Sequence, residues 1–161
     1  MIEKLRLRPI EDADRERLWI WSNDPGVRAQ SFDPRPIPWE DHCHWFSTRL
    51  ADHYWKAWIG IDSSYRPVGV IRFQVKKTRA EIGINVATEV RGQGIGRALI
   101  IQGCAALFRT LPVIAVDALI KPENTISRAA FLGAGFREIN IPSPLPSLHL
   151  VLERSQLKRV S

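Results

Sequence analysis

Between Val86 and Arg97 the chain reads Val-Ala-Thr-Glu-Val-Arg-Gly-Gln-Gly-Ile-Gly-Arg, with glycines at alternate positions 92, 94 and 96 and Arg91 and Arg97 on either side. Glycine lets the backbone turn sharply and approach a ligand closely, because no Cβ intervenes. An alternating apolar run comes before the glycines and an amphipathic pattern after them, so the spacing predicts strand, turn and helix. The first turn of such a helix presents unpaired N–H groups and the positive end of its dipole. The chemistry this arrangement supports is main-chain binding of a phosphate or pyrophosphate. Two common phosphate loops do not fit. No Lys followed by Ser or Thr closes the segment as a Walker loop requires, and Arg97 stands where G-x-G-x-x-G needs its last glycine.

The elements that must position this loop follow from periodicity. Residues 4–9 alternate as a first strand, and Glu11 to Ser22 reads as a helix ended by Asn23-Asp24-Pro25-Gly26. Pro34, Pro36 and Pro38 bar regular structure up to Trp39, where a second helix runs to about Asp52 with Trp45, Phe46 and Leu50 at helical spacing. Trp55 to Ile61 and Val68 to Val75 read as strands, and Glu81 to Val86 alternates strictly. On that third segment Ile82, Ile84 and Val86 share one face, and Glu81, Gly83 and Asn85 the other. A helix over 95–109, a strand over 112–120, a helix over 123–133 and short strands over 136–141 and 148–153 complete the chain. The order β-αα-βββ-α-β-α-β-β joins an antiparallel meander to a βαβ unit that forces parallel pairing. The expected architecture is α/β (α+β): one domain over 1–161, with a mixed central sheet of about seven strands flanked by helices.

Arg91-x-x-Gly94-x-Gly96 resembles the acyl-CoA pyrophosphate loop of the GNAT N-acetyltransferase superfamily. Lys121-Pro122-Glu123-Asn124-Thr125-Ile126-Ser127, followed by Phe131 and Gly135-Phe136, resembles that family's Asn-x-x-Ser/Ala…Gly-Phe segment, and the resemblance extends over residues 4–153. It implies the GNAT fold and acetyl-CoA as co-substrate without a metal. It also implies direct acetyl transfer to a primary amine through a ternary complex. The implied cofactor site comprises the main chain at Asn85 and Val86, the loop residues Arg91, Gly92, Gln93, Gly94, Ile95, Gly96 and Arg97, and Asn124, Ser127 and Phe131. A fixed N–H from the strand before the loop would polarise the thioester carbonyl without reorganising. Glu81 is the first candidate for the base, with His149 and His42 as alternatives that titrate near neutrality. The chain departs from the family at Phe131, where many relatives carry a tyrosine. Phenylalanine has no hydroxyl, so the departing thiolate takes its proton from Ser127 or water, or leaves unassisted. A non-catalytic acyl-CoA-binding module is the remaining alternative.

The first third of the chain narrows the expectation. Trp21-Ser22-Asn23-Asp24-Pro25-Gly26-Val27-Arg28, Ile37 and His42-x-x-Trp45-Phe46 are similar to the GNAT branch acting on UDP-linked 4-amino sugars of pseudaminic acid synthesis. Ribosomal-protein N-terminal acetyltransferases share a looser version. The resemblance implies that Asn23, Arg28, His42 and Trp45 meet the acceptor, preferably a nucleotide sugar, with a ribosomal-protein or peptide N-terminus as the alternative. A guanidinium matches a diphosphate bidentately, which suits Arg28, although a simple salt bridge would use it equally well. All six tryptophans fall in the first 58 residues, and most are expected to pack the two early helices on the sheet.

Composition excludes several classes. The chain has 161 residues, is 45% hydrophobic and 25% charged, and carries a net charge of +6, which favours anionic partners. No nucleic-acid-binding signature supports a nucleic-acid partner. No apolar run approaches the roughly 20 residues that span a bilayer. Two cysteines, Cys43 and Cys104, have neither metal-ligand nor disulfide-framework spacing. The expectation is a cytoplasmic protein, monomeric or homodimeric, with no membrane partner.

Overall fold

The computed structural model describes residues 5–157. Four strands form the expected meander: β1 (Arg6–Pro9), β2 (Trp55–Ile61), β3 (Pro67–Lys76) and β4 (Arg79–Val86), each antiparallel to the next. The long helix α4 (Ile95–Thr110) then carries the chain to β5 (Ala115–Ile120), which lies parallel to β4. β7 (Leu148–Glu153) inserts between β5 and the short β6 (Arg137–Ile139) and runs antiparallel to both. The result is a seven-stranded mixed sheet in the order β1-β2-β3-β4-β5-β7-β6.

Strand alternation gives each face its own core. α4 and α5 (Thr125–Gly133) cover the face bearing Ile71, Phe73, Val75 and Ile82, where Leu99, Ile100, Cys104, Leu107 and Phe131 are buried. On the opposite face Leu18 of α1 (Arg15–Ser22) and Phe46 of α3 (Trp39–Ala51) pack on Ile59 and Val70. Fully burying a side chain of this size contributes about 1.5–3 kcal/mol. The tryptophans serve this packing: Trp45 meets Trp55 edge-on, Trp19 meets Trp39 and Trp58 meets Phe73.

Where the elements depart from expectation, the causes are local. The first helix begins at Arg15 because residues 12–14 form a tighter turn held by Asp14, whose buried carboxylate binds Arg8 and Arg17 at 2.7 and 2.9 Å. Asp24-Pro25, expected only to stop that helix, also starts another, α2 (Pro25–Gln30). The Asp24 carboxylate caps it by accepting the Val27 N–H at 3.2 Å, and Pro25 fills the first position, where no N–H is needed. β5 starts at Ala115 rather than at Pro112, and β6 shrinks to three residues. A four-residue helix, α6 (Arg154–Leu157), follows β7.

The feature that positions the site is a broken ladder. β3 and β4 pair along eight residues, but β4 and β5 pair only at Arg79–Ala115, Ala80–Val116 and Glu81–Asp117. Beyond Glu81 the two parallel strands part in a V.

Candidate active site

The open arm of the V is the C-terminal half of β4. Ala87 donates its N–H to Val68 O of β3 at 2.9 Å. Antiparallel alternation therefore turns the peptide groups of Gly83 and Asn85 toward β3, and those of Ile84 and Val86 toward the gap. The chain then reaches the glycine loop. Gly92 and Gly94 have φ of 78° and 76°, a left-handed conformation that costs other residues about 1–2 kcal/mol. Gly94 is the residue before α4, and its carbonyl accepts the Ala98 N–H at 3.2 Å. The N–H groups at the start of α4 consequently face outward from the turn. A Cβ on Gly96 would lie 3.7 Å from Val86 Cγ2, so the helix start sits beside the end of the open strand. Ile95 is buried and anchors this corner, whereas Arg91, Gly92, Gln93, Gly94 and Arg97 are exposed.

Neither arginine of the loop is a free side chain aimed at the turn. Arg91 donates to Asp24 at 2.9 Å and to the Val86 carbonyl at 3.3 Å, which ties the loop to α2. Asp24 also receives the Thr88 hydroxyl at 2.8 Å, and the hydrogen bonds from Thr88, Arg91 and Val27 hold its carboxyl below the usual carboxylate range. The stem of Arg97 lies along Gly133 of α5, with its Cδ 3.3 Å from where a Cβ would stand. On α5 itself Asn124 caps the helix, its Oδ1 accepting the Ser127 N–H at 3.2 Å, and Ser127 is half-buried in the first turn.

A second group of side chains collects where the V closes, on the face away from α4. Glu81 is exposed at the last paired position and stands opposite Asp117. Asp117 accepts from Arg79 at 2.8 and 2.7 Å and contacts His149 Nε2 at 2.8 Å. Burial alone would raise the Asp117 carboxyl, but the hydrogen bonds from Arg79 and His149 outweigh it and hold it low. His149, expected from its position on the last strand, thus has an orienting carboxylate that the sequence did not single out. The signal was present in the alternation of 115–120, which places Asp117 beside Glu81 once the strand pairing is known.

Several expected site residues have other work. Phe131 is buried in the core and packs edge-on against Phe136 at 5.0 Å. The Asn85 main chain pairs with β3, and its buried amide donates to Ser22 Oγ at 3.3 Å, which fastens α1 to β4. Asn23 is a clamp: its Oδ1 accepts Ile37 N–H at 2.7 Å and its Nδ2 donates to Ile37 O at 3.0 Å. Arg28 is not poised for a diphosphate. Its guanidinium is taken up by the carbonyls of Ser22, Asp33 and Arg35 and by Ser31 Oγ, at 2.7 to 3.2 Å. His42 is 2% exposed and stacked on Phe46 and Trp39, with Nε2–H donated to Arg15 O at 2.7 Å. Burial pushes its pKa down, and a ring held this way cannot act as a base toward an external amine. Trp45 is half-buried and packs against the second core and Trp55. The first third of the chain is therefore held together by the residues expected to bind substrate.

Among the described residues no helix is long and apolar enough to cross a membrane.

No curated protein matches the chain significantly. Solved structures do. The spermidine N-acetyltransferase from Vibrio cholerae, in complex with CoA and spermine, superposes with a TM-score of 0.84 at 17% identity over 96% of this chain and 98% of that one. A domain from Methanocaldococcus jannaschii gives 0.81 at 23% identity over 93% and 98%. The aminoglycoside acetyltransferase AAC(6')-Ib in complex with coenzyme A gives 0.83 at 17% identity over 97% and 98%. At these identities the likeness is one of fold. The family itself is set by the sequence: residues 4–137 match the model described as "Acetyltransferase (GNAT) domain". The chain belongs to that GNAT family and is an acetyl-CoA-dependent N-acetyltransferase.

Proposed function

We propose that this protein transfers the acetyl group of acetyl-CoA to a primary amine on a small molecule, with the thioester lying in the V between β4 and β5. The observation that carries this reading is the conjunction of the three-residue β4–β5 ladder with the left-handed Gly92–Gly94 turn at the start of α4. The pyrophosphate would meet the N–H groups of residues 92–97. The pantetheine arm would run along the open edge of β4, where the Val86 N–H faces the gap, and Asn124 and Ser127 would flank it from α5. Metal ions have no part in the proposed chemistry.

In the reaction a neutral amine attacks the thioester carbonyl, forms the C–N bond and gives a tetrahedral oxyanion held by a main-chain N–H. Collapse breaks the C–S bond and releases CoA thiolate. Glu81 takes the proton that the amine sheds, directly or through water, and His149 oriented by Asp117 is the adjacent alternative. Ser127 or water returns a proton to the thiolate, since Phe131 cannot.

An amine acceptor is supported by the superposed structures, a spermidine and an aminoglycoside acetyltransferase. The resemblance of residues 21–46 puts a UDP-linked 4-amino sugar first among the acceptors to test, with peptide N-termini second, although Asn23, Arg28 and His42 are engaged within the fold. The test is CoA release from acetyl-CoA in the presence of each acceptor class. Turnover with the amino sugar is expected. Turnover on peptides alone would move the acceptor to the second class, and turnover on neither would place the acceptor outside both. Glu81→Gln should lower kcat about 10²-fold or more, the range typical of general bases, with CoA affinity unchanged.

A further inference from the structure

Arg72 has a place in the site that the reaction above does not use. It stands in the middle of β3, opposite Gly83 of β4, on the face that also bears Val70, Gln74 and Asn85. Its guanidinium lies across β4: a Cβ on Gly83 would fall 2.8 Å from Cζ and Nε and 3.0 Å from Nη2. Only glycine at position 83 permits this. Gly83 is two residues beyond the last β4–β5 pair, so the cation crosses β4 where the V begins to open. The first helices bound the same space, through the Ser22–Asn85 hydrogen bond and through Arg28.

The guanidinium has no acceptor. Among the described residues Arg72 makes no side-chain hydrogen bond and no ion pair. It is densely surrounded but keeps an opening to solvent. Burial, together with repulsion from Arg28, pushes its pKa down to about 10. The carboxylates of the region are engaged elsewhere: Asp117 with Arg79 and His149, Asp24 with Arg91, and Asp33 with Arg35. Glu81, on the same face, is exposed and makes no bond to it. The guanidinium nitrogens therefore reach solvent through that opening without a protein partner, and their donors are free for acceptors that a ligand supplies.

We propose that Arg72 docks an oxyanion, carboxylate or phosphate, carried by the acceptor, so that the preferred acceptor is an anionic amine. This rests on the acetyl-transfer reading and names the acceptor's chemistry. A guanidinium holds either group bidentately, whereas Arg72 and Arg28 together repel a polycationic amine.

The test uses the full chain saturated with CoA, so that the glycine loop is already filled, and calorimetric titration with UDP, glucosamine 6-phosphate, β-alanine, glucosamine and spermine. At least one anionic probe is expected to bind tenfold or more tightly than glucosamine or spermine. The preference should vanish in Arg72→Met, with CoA affinity unchanged within about twofold. Whether β-alanine or the phosphorylated probes bind separates carboxylate from phosphate. Arg72→Met should melt no lower than the unaltered protein, because it removes an uncompensated charge and keeps the apolar stem. Equal affinity for charged and uncharged probes, a preference that survives in Arg72→Met, or a large fall in its melting temperature would each overturn the proposal. Failure to bind CoA would refute acetyl transfer instead, while the same comparison of probes still reads Arg72 directly.

Discussion

At the scale of single residues, the glycines of the loop are not equivalent. Gly92 and Gly94 hold left-handed φ values, whereas Gly96 does not and is distinguished only by its nearness to Val86. Gly94→Ala should therefore destabilise the protein by about 1–2 kcal/mol and weaken CoA binding, while Gly96→Ala should cost less stability. Paired chemical denaturation and calorimetry will distinguish the two. His42 gives a pH signature. Its folded pKa lies below the unfolded value of about 6.5, so the unfolded chain binds the extra proton. The stability it confers is present above that value and is lost as pH falls, with a slope of at most about 1.4 kcal/mol per pH unit. His42→Gln keeps a donor for Arg15 O and should flatten this slope. The carboxyls of Asp14 and Asp117 are held low by their partners. Their contribution persists above about pH 4 and disappears only in stronger acid.

At the scale of elements, the site depends on α2, whose Gly26 packs beside Arg91 of the loop. Asp24 caps α2 and simultaneously holds Thr88 and Arg91, the approach to the glycines. Asp24→Ala is expected to cost about 1 kcal/mol as a lost cap. It should also reduce CoA affinity by freeing the loop, an effect visible as a weaker Kd in a variant whose kcat at saturation is little changed. The tripartite contact also explains a gap in the sequence reading. Asp-Pro signals both a helix end and a helix start, and only the packing of α2 against the loop decides that both occur here.

At the scale of the whole molecule, the sheet supplies two faces with separate duties. α4 and α5 close one face over the larger core, and α1 to α3 close the other over Phe46, Ile59 and Val70. The V opens between them because the β4–β5 ladder stops after three pairs. A ligand that fills this gap binds only the folded state, so acetyl-CoA at 100 times its Kd should raise stability by about 2.7 kcal/mol. A melting temperature unaffected by saturating acetyl-CoA would contradict the proposed site.

The amino-acid sequence by itself determined what depends on neighbours along the chain. Strand alternation, the caps at Asn124 and Gly94 and the left-handed requirement at Gly92 are local, and so the element order and the loop were legible. The mixed seven-stranded sheet followed from the meander and the βαβ crossover. What required the tertiary structure was every partnership across the sheet. The resemblance of residues 21–46 to the amino-sugar branch suggested substrate contacts, yet Asn23 and Arg28 close onto the 31–37 segment and His42 onto α1, because a polar group withdrawn from water takes a partner within the fold. Conversely, Asp117 beside His149, and Arg72 stretched over Gly83 without a partner, come together only through strand register. Register joins residues far apart in sequence, and no local pattern encodes which polar groups it will leave paired or open.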